Sequence, residues 1–193
     1  MIGKRKKSLV DQIVDASEEE PEKVYDLKPY EGNFDLMVST GSTQLDLAIS
    51  GGRVYGGGIP AGIIIEIAGP PSIGKTALLS EVAGNVQKGK GEVCFLDPEA
   101  RVDKEYAKLY GVALDKTNYF MPKTVAEVFK VISDFKPKDT NIINAVCTDS
   151  LAALSTELEL TKGDKMGMAR GKAFSAGLRT TAIRIRENNM IIP

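Results

Sequence analysis

The chain has 193 residues and nearly balanced charge, 25 Lys and Arg against 26 Asp and Glu, enough length for one core with a small appendage. It contains no histidine, which excludes His-based catalytic triads, histidine metal sites and imidazole acid–base chemistry and leaves carboxylates, Lys and backbone donors to carry any reaction. No apolar run approaches the roughly 18 residues of a membrane span, and Met1 to Val14 lacks the unbroken apolar stretch of a secretory signal, so the expectation is a cytoplasmic protein with no membrane partner.

Lys4-Arg5-Lys6-Lys7 opens the chain, and Leu9, Val10, Ile13 and Val14 then make a short amphipathic helix before an acidic break at Ser17 to Pro21. Residues 1–31 therefore read as an arm, which either docks on another surface or frays in solution. The remainder, 32–193, reads as one α/β unit. Gly32 to Pro60 is rich in glycine and turn formers, and the core is expected to begin at Ala61.

From there strands and helices alternate. The predicted strands are Ile63 to Ala68, Glu92 to Leu96, Ile142 to Thr148 and Met190 to Ile192. The predicted helices are Thr76 to Lys88, Val102 to Tyr110 stopped by Gly111, Thr124 to Asp134, and roughly 167–187. In the first helix Leu78, Leu79, Val82, Ala83 and Val86 share a face; the third starts on a capping box, Thr124 with Glu127, and aims Val125, Val128, Phe129 and Ile132 at the core. Such alternation predicts a parallel sheet covered by helices on both faces. Cys94 and Cys147 sit inside apolar strand-like runs, so buried reduced thiols are expected rather than a disulfide or metal site.

The chemistry concentrates at strand ends. Gly69-Pro70-Pro71-Ser72-Ile73-Gly74-Lys75-Thr76 is a complete G-x-x-x-x-G-K-[ST] phosphate loop between a strand and a helix. Its backbone N–H groups can curl around a polyphosphate, Lys75 can reach the terminal phosphates, and the Thr76 hydroxyl can ligate Mg²⁺. A glycine-rich turn is the plainer alternative. Nucleotide hydrolysis also needs a carboxylate on the metal side and another to orient water. Asp149 follows Ala145-Val146-Cys147-Thr148 and fits the first; Glu99, in Asp97-Pro98-Glu99, fits the second, against the simpler reading of both as turn carboxylates.

Charge is segregated along the chain. Glu18, Glu19, Glu20 and Glu22 cluster near the start, whereas Lys162, Lys165, Arg170, Lys172, Arg179, Arg184 and Arg186 face only Asp164 among acids. Such a segment suits a polyanion, or is a solvated helix face.

Taken together, Gly41-Ser42-Thr43-Gln44-Leu45-Asp46, the phosphate loop, Asp97 to Ala107, Thr148-Asp149-Ser150-Leu151-Ala152-Ala153-Leu154 and Met166-Gly167 before a basic helix resemble the bacterial RecA recombinases, from about Val38 to Pro193. The divergence resembles a bacteriophage or prophage member, which places the protein in a bacterial cell or phage-infected host. The resemblance implies a P-loop NTPase core of RecA type, with ATP and Mg²⁺ as cofactors, single-stranded DNA as partner and a homo-oligomeric filament in full form. By position, Gly69 through Thr76 would bind nucleotide, Lys75 and Glu99 would be catalytic, and Thr76 with Asp149, the latter through water, would hold the metal. Asp103 and Tyr106 match adenine contacts. Residues near Glu157 to Met166 match a DNA-binding loop, with Lys162 and Lys165 suited to phosphates and Arg170 and Lys172 following.

Two departures stand out. Pro71 and Ile73 replace more polar residues of the family's loop, which bears on nucleotide preference. The family also continues beyond the fourth strand, so the resemblance implies an N-terminal part, truncated there, with Met190 to Ile192 lying between the phosphate-loop and Asp149 strands. Low turnover and an open apolar flank on the phosphate-loop strand are the corresponding expectations. Other readings are a helicase-like ATPase on the same fold, a small-molecule kinase, disfavoured by the absence of an Arg-rich lid between the second and third strands, and a module that binds nucleotide or DNA without turnover.

Overall fold

The computed structural model describes residues 36–51, 57–162 and 168–192. The expected arm at 1–31 lies outside the described residues. Two short strands, β1 (Met37–Val38) and β2 (Ile59–Pro60), pair antiparallel, and α1 (Thr43–Ser50) lies between them in sequence. The main sheet is made of β3 (Ile63–Ile64), β4 (Val93–Leu96), β5 (Tyr119–Phe120), β6 (Asn144–Thr148) and β7 (Met190–Ile192). Its order is β3-β7-β6-β4-β5 and every neighbouring pair is parallel. The last strand thus lies between those carrying the phosphate loop and Asp149, as the resemblance implied.

Helices α2 (Lys75–Lys88) and α3 (Lys104–Leu109) cover one face; α4 (Val125–Asp134) and α6 (Met168–Glu187) cover the other, with α5 (Glu157–Lys162) ahead of α6. The period of two along each strand explains the division. Val93 and Phe95 of β4, Ala145 and Cys147 of β6 and Ile191 of β7 pack with Leu79, Val82, Ala83 and Val86 of α2. Cys94, Leu96, Val146, Met190 and Ile192 point the other way, against Val125, Val128 and Ile132 of α4 and Ile185 of α6. Each such Val, Leu or Ile contributes roughly 1.5–3 kcal/mol by leaving water. Both cysteines are buried free thiols, and burial pushes Cys94 up to about 12.

Thr124 caps α4 in the predicted box: its side chain accepts from Glu127 N, and Glu127 Oε2 accepts from Thr124 N. Where α6 crosses α4, a Cβ on Gly177 would sit 2.2 Å from the Phe129 ring, so only glycine lets the two helices approach this closely. The Phe129 ring is itself held edge-on by Phe174, with centroids 5.9 Å apart.

Three expectations need correction. The core begins before Ala61, because Val38 and Ile59 are buried against α2 and Ser42 caps α1, accepting from Leu45 N. The strand expected over Ile63 to Ala68 is paired only at Ile63 and Ile64; beyond them Ile65 N still donates to Ile192 O, 2.9 Å. β5 was not anticipated, since two residues are too few for a period to register. It is nevertheless the edge strand beside β4.

Candidate active site

Three of the predicted residues come together through hydrogen bonds between elements far apart in sequence. The phosphate loop runs exposed from β3 to α2, and Gly74 turns into the helix at φ 98°, a left-handed conformation that an L side chain rarely adopts. The first turn of α2 has no side-chain cap and no acid, so its amide N–H groups and the positive helix end face the loop mouth. Lys75 Nζ donates across that mouth to Gly69 O at 2.9 Å and Pro70 O at 2.8 Å. Phosphate oxygens are stronger acceptors than neutral carbonyls, so the ammonium is poised to exchange these partners.

At the end of β6, Asp149 Oδ2 accepts from Thr76 Oγ1 at 2.5 Å. A hydroxyl and a carboxylate brought to one point form a hard oxygen pair, which fits a Mg²⁺ completed by water and substrate phosphates. The next residue reaches the other candidate carboxylate: Ser150 Oγ donates to Glu99 Oε1 at 2.9 Å. Arg101, itself mostly exposed, pairs with Glu99 Oε2 at 2.8 Å. Both oxygens of Glu99 are thereby held, each keeping a lone pair for water.

Glu99 is placed not at the strand end but in the turn beyond it. Asp97, buried at the end of β4, organises that turn: its carboxylate accepts from Glu99 N at 3.1 Å, Val102 N at 2.8 Å and the Tyr119 hydroxyl at 2.7 Å. Ala100 between them adopts φ 53°, which folds Arg101 back onto Glu99. Burial, and then the bond to Asp97 and its charge, push the Tyr119 hydroxyl up to about 12. The sequence reading assigned no role to Asp97, Ser150, Arg101 or Tyr119. An acid closing an apolar strand directly before a proline was a signal for Asp97; Tyr119 carried none.

Asp103 caps α3, its Oδ1 accepting from Glu105 N at 2.8 Å and Tyr106 N at 3.1 Å, while Tyr106 is half exposed on the helix. A cleft of about 730 Å³ extends from Gly69 and Lys75 past Asp149 and Ser150 to Phe129 and Arg170. Arg170 turns inward: Nη1 donates to Ala152 O at 3.1 Å and Leu154 O at 3.4 Å, tying α6 to the turn that follows Ser150. Lys172 is exposed on α6. Lys165 and the side chain of Lys162 lie outside the described residues. No described helix is long and apolar enough to cross a membrane.

Residues 27–192 match the family described as the RecA N-terminal domain. Among similar curated proteins, the RecA protein of Delftia acidovorans is 32% identical over 158 residues, covering 81% of this chain and 41% of the relative. That of Cereibacter sphaeroides is 34% identical over 156 residues, 80% of this chain and 43% of the relative. That of Rickettsia canadensis is 36% identical over 166 residues, 82% and 45%. The chain therefore spans less than half the length of these relatives.

Proposed function

The chain belongs to the RecA family, and from that premise we propose that it forms the nucleotide-binding core of a DNA-dependent ATPase that acts on single-stranded DNA in recombination and repair. The observation that carries this reading is the chain of hydrogen bonds from Thr76 to Asp149 and from Ser150 to Glu99, which joins the phosphate loop to both carboxylates.

In this reading Gly69 through Thr76 offer backbone donors to the phosphates, and Lys75 transfers its bonds from Gly69 O and Pro70 O to phosphate oxygens. Thr76 and Asp149 are the residues that would hold the metal. Mg²⁺, when bound, neutralises charge on the phosphates. Glu99 orients the attacking water with the lone pairs that Ser150 and Arg101 leave free, and Asp97 keeps the turn rigid so that Glu99 need not be ordered at each turnover. Asp103 keeps Oδ2 available for the adenine amino group while Oδ1 caps α3, and Tyr106 offers its ring for stacking. Lys162, Lys165, Arg170 and Lys172 are the proposed contacts to DNA phosphates, and ATP held between copies in a filament would couple nucleotide state to DNA affinity.

The test is titration of the chain with Mg-ATP, followed by hydrolysis with and without single-stranded DNA. Lys75→Ala is expected to abolish or greatly weaken binding, because the loop contains no second basic residue. Undiminished affinity in that variant would remove the phosphate loop from the site. Where turnover is measurable, stimulation by DNA supports this reading over a small-molecule kinase.

A further inference from the structure

Tyr106 is 49% exposed on α3, and an exposed aromatic ring ordinarily samples several rotamers. This one is held. Tyr110, one helical turn further on, meets it ring to ring, with centroids 5.2 Å apart and planes inclined at 68°, an edge-to-face arrangement that aromatic pairs favour. The two hydroxyls are also hydrogen-bonded to each other at 2.7 Å. The rings are thus joined both at their bodies and at their polar tips.

Tyr110 has a fixed base from which to hold its neighbour. Its N–H donates to Ala107 O at 3.0 Å, and Ala107 is buried. A Cβ on Gly84 of α2 would lie 1.8 Å from the Tyr110 carbonyl oxygen, so helix backbone abuts this residue directly. The bond to Tyr106, then partial burial and the charge of Glu81, raise the Tyr110 hydroxyl above its ordinary value of 10. The Tyr110 hydroxyl therefore remains protonated at neutral pH.

Resting on the nucleotide-binding reading above, we propose that Tyr110 is a positioning residue for the nucleobase, holding the Tyr106 ring in one orientation so that it stacks on a purine without first being ordered. The entropy of fixing that ring is spent on folding rather than on binding. Stacking then comes from Tyr106 and its pre-organisation from Tyr110. Loss of the Tyr110 hydroxyl weakens binding of a base-bearing nucleotide and leaves binding of a bare polyphosphate untouched.

Equilibrium titration of the whole chain with Mg-ATP and with Mg-tripolyphosphate separates these contributions. Tyr110→Phe keeps the ring and deletes the hydroxyl; Tyr110→Leu deletes both. The expected result is a Kd for ATP raised about two- to tenfold by Tyr110→Phe, as for one side chain that must now be ordered on binding, with a larger rise for Tyr110→Leu. Tripolyphosphate affinity is unchanged in both. In a Tyr106→Ala background, Tyr110→Phe has no further effect on ATP, because the group it acts through is gone. Unchanged ATP affinity in both Tyr110 variants, equal losses for ATP and tripolyphosphate, or additive losses with Tyr106→Ala would each overturn the positioning role. A parent chain that binds neither probe would overturn the phosphate-loop reading itself.

Discussion

A single carboxylate, that of Asp97, accepts from two backbone amides and one phenol, and so decides where Glu99 stands. The phenol is the part that a mutation can address cleanly. Tyr119→Phe keeps the ring on the core and leaves Asp97 its two amide partners, so a loss of about 1.5–3 kcal/mol is expected, the range for a hydrogen bond to a charged acceptor. The pH dependence has a definite sign. Tyr119 titrates at about 12 when folded against 10 in its ordinary state. Its contribution is therefore complete below pH 10 and falls as pH rises towards 12, because there the unfolded chain releases the proton first. Denaturant unfolding of parent and variant across that interval should show their stabilities converging; parallel curves would mean that the bond is not made.

Among the elements, the crossing of α4 and α6 makes a sharper prediction than any strand. Replacing Gly177 by alanine adds helix propensity worth roughly 1 kcal/mol. It also drives a methyl into the Phe129 ring at 2.2 Å, and that ring is braced by Phe174. Overpacking of this kind costs about 1–3 kcal/mol, so the net effect should be destabilising. In a Phe129→Leu background the same substitution should become neutral or stabilising, since the obstruction is removed. Thermal unfolding of the four combinations measures this; a Gly177→Ala chain as stable as its parent would show that the helices can separate freely.

At the scale of the whole molecule, the sheet formed by the described residues ends at β3 on one side and β5 on the other. On the first, Ile64 is 41% exposed, and on α6, which packs beside β3, Ile183 is 72% exposed. An unpaired strand edge with apolar side chains is a template for association. Concentration-dependent self-association is therefore expected in sedimentation experiments, and Ile64→Lys should lower it while leaving the buried core intact. If the lysine variant associates as strongly as the parent, another surface is responsible.

Much of this protein was legible in its residues. Periodicity located α2, α3, α4 and α6, though not α1, and four of the five main strands, and it did so because their apolar spacing must match either 3.6 or 2. The phosphate loop was legible for a different reason: its chemistry depends on backbone shape, and glycine and a Gly-Lys-Thr ending are what that shape demands. Asp149 and Glu99 were legible as acids at the ends of apolar runs. What tertiary structure alone decided is which distant groups touch. Asp97 reaches Tyr119 because β4 and β5 are neighbours, Thr76 reaches Asp149 across 73 positions, and Ser150 reaches Glu99 across 51. The inward turn of Arg170 and the pairing of Tyr110 with Tyr106 belong to the same class. Local patterns report what a segment prefers, whereas the strand order and the close approach of helices determine which side chains satisfy one another; a hydrogen bond between segments leaves no periodic trace in either of them.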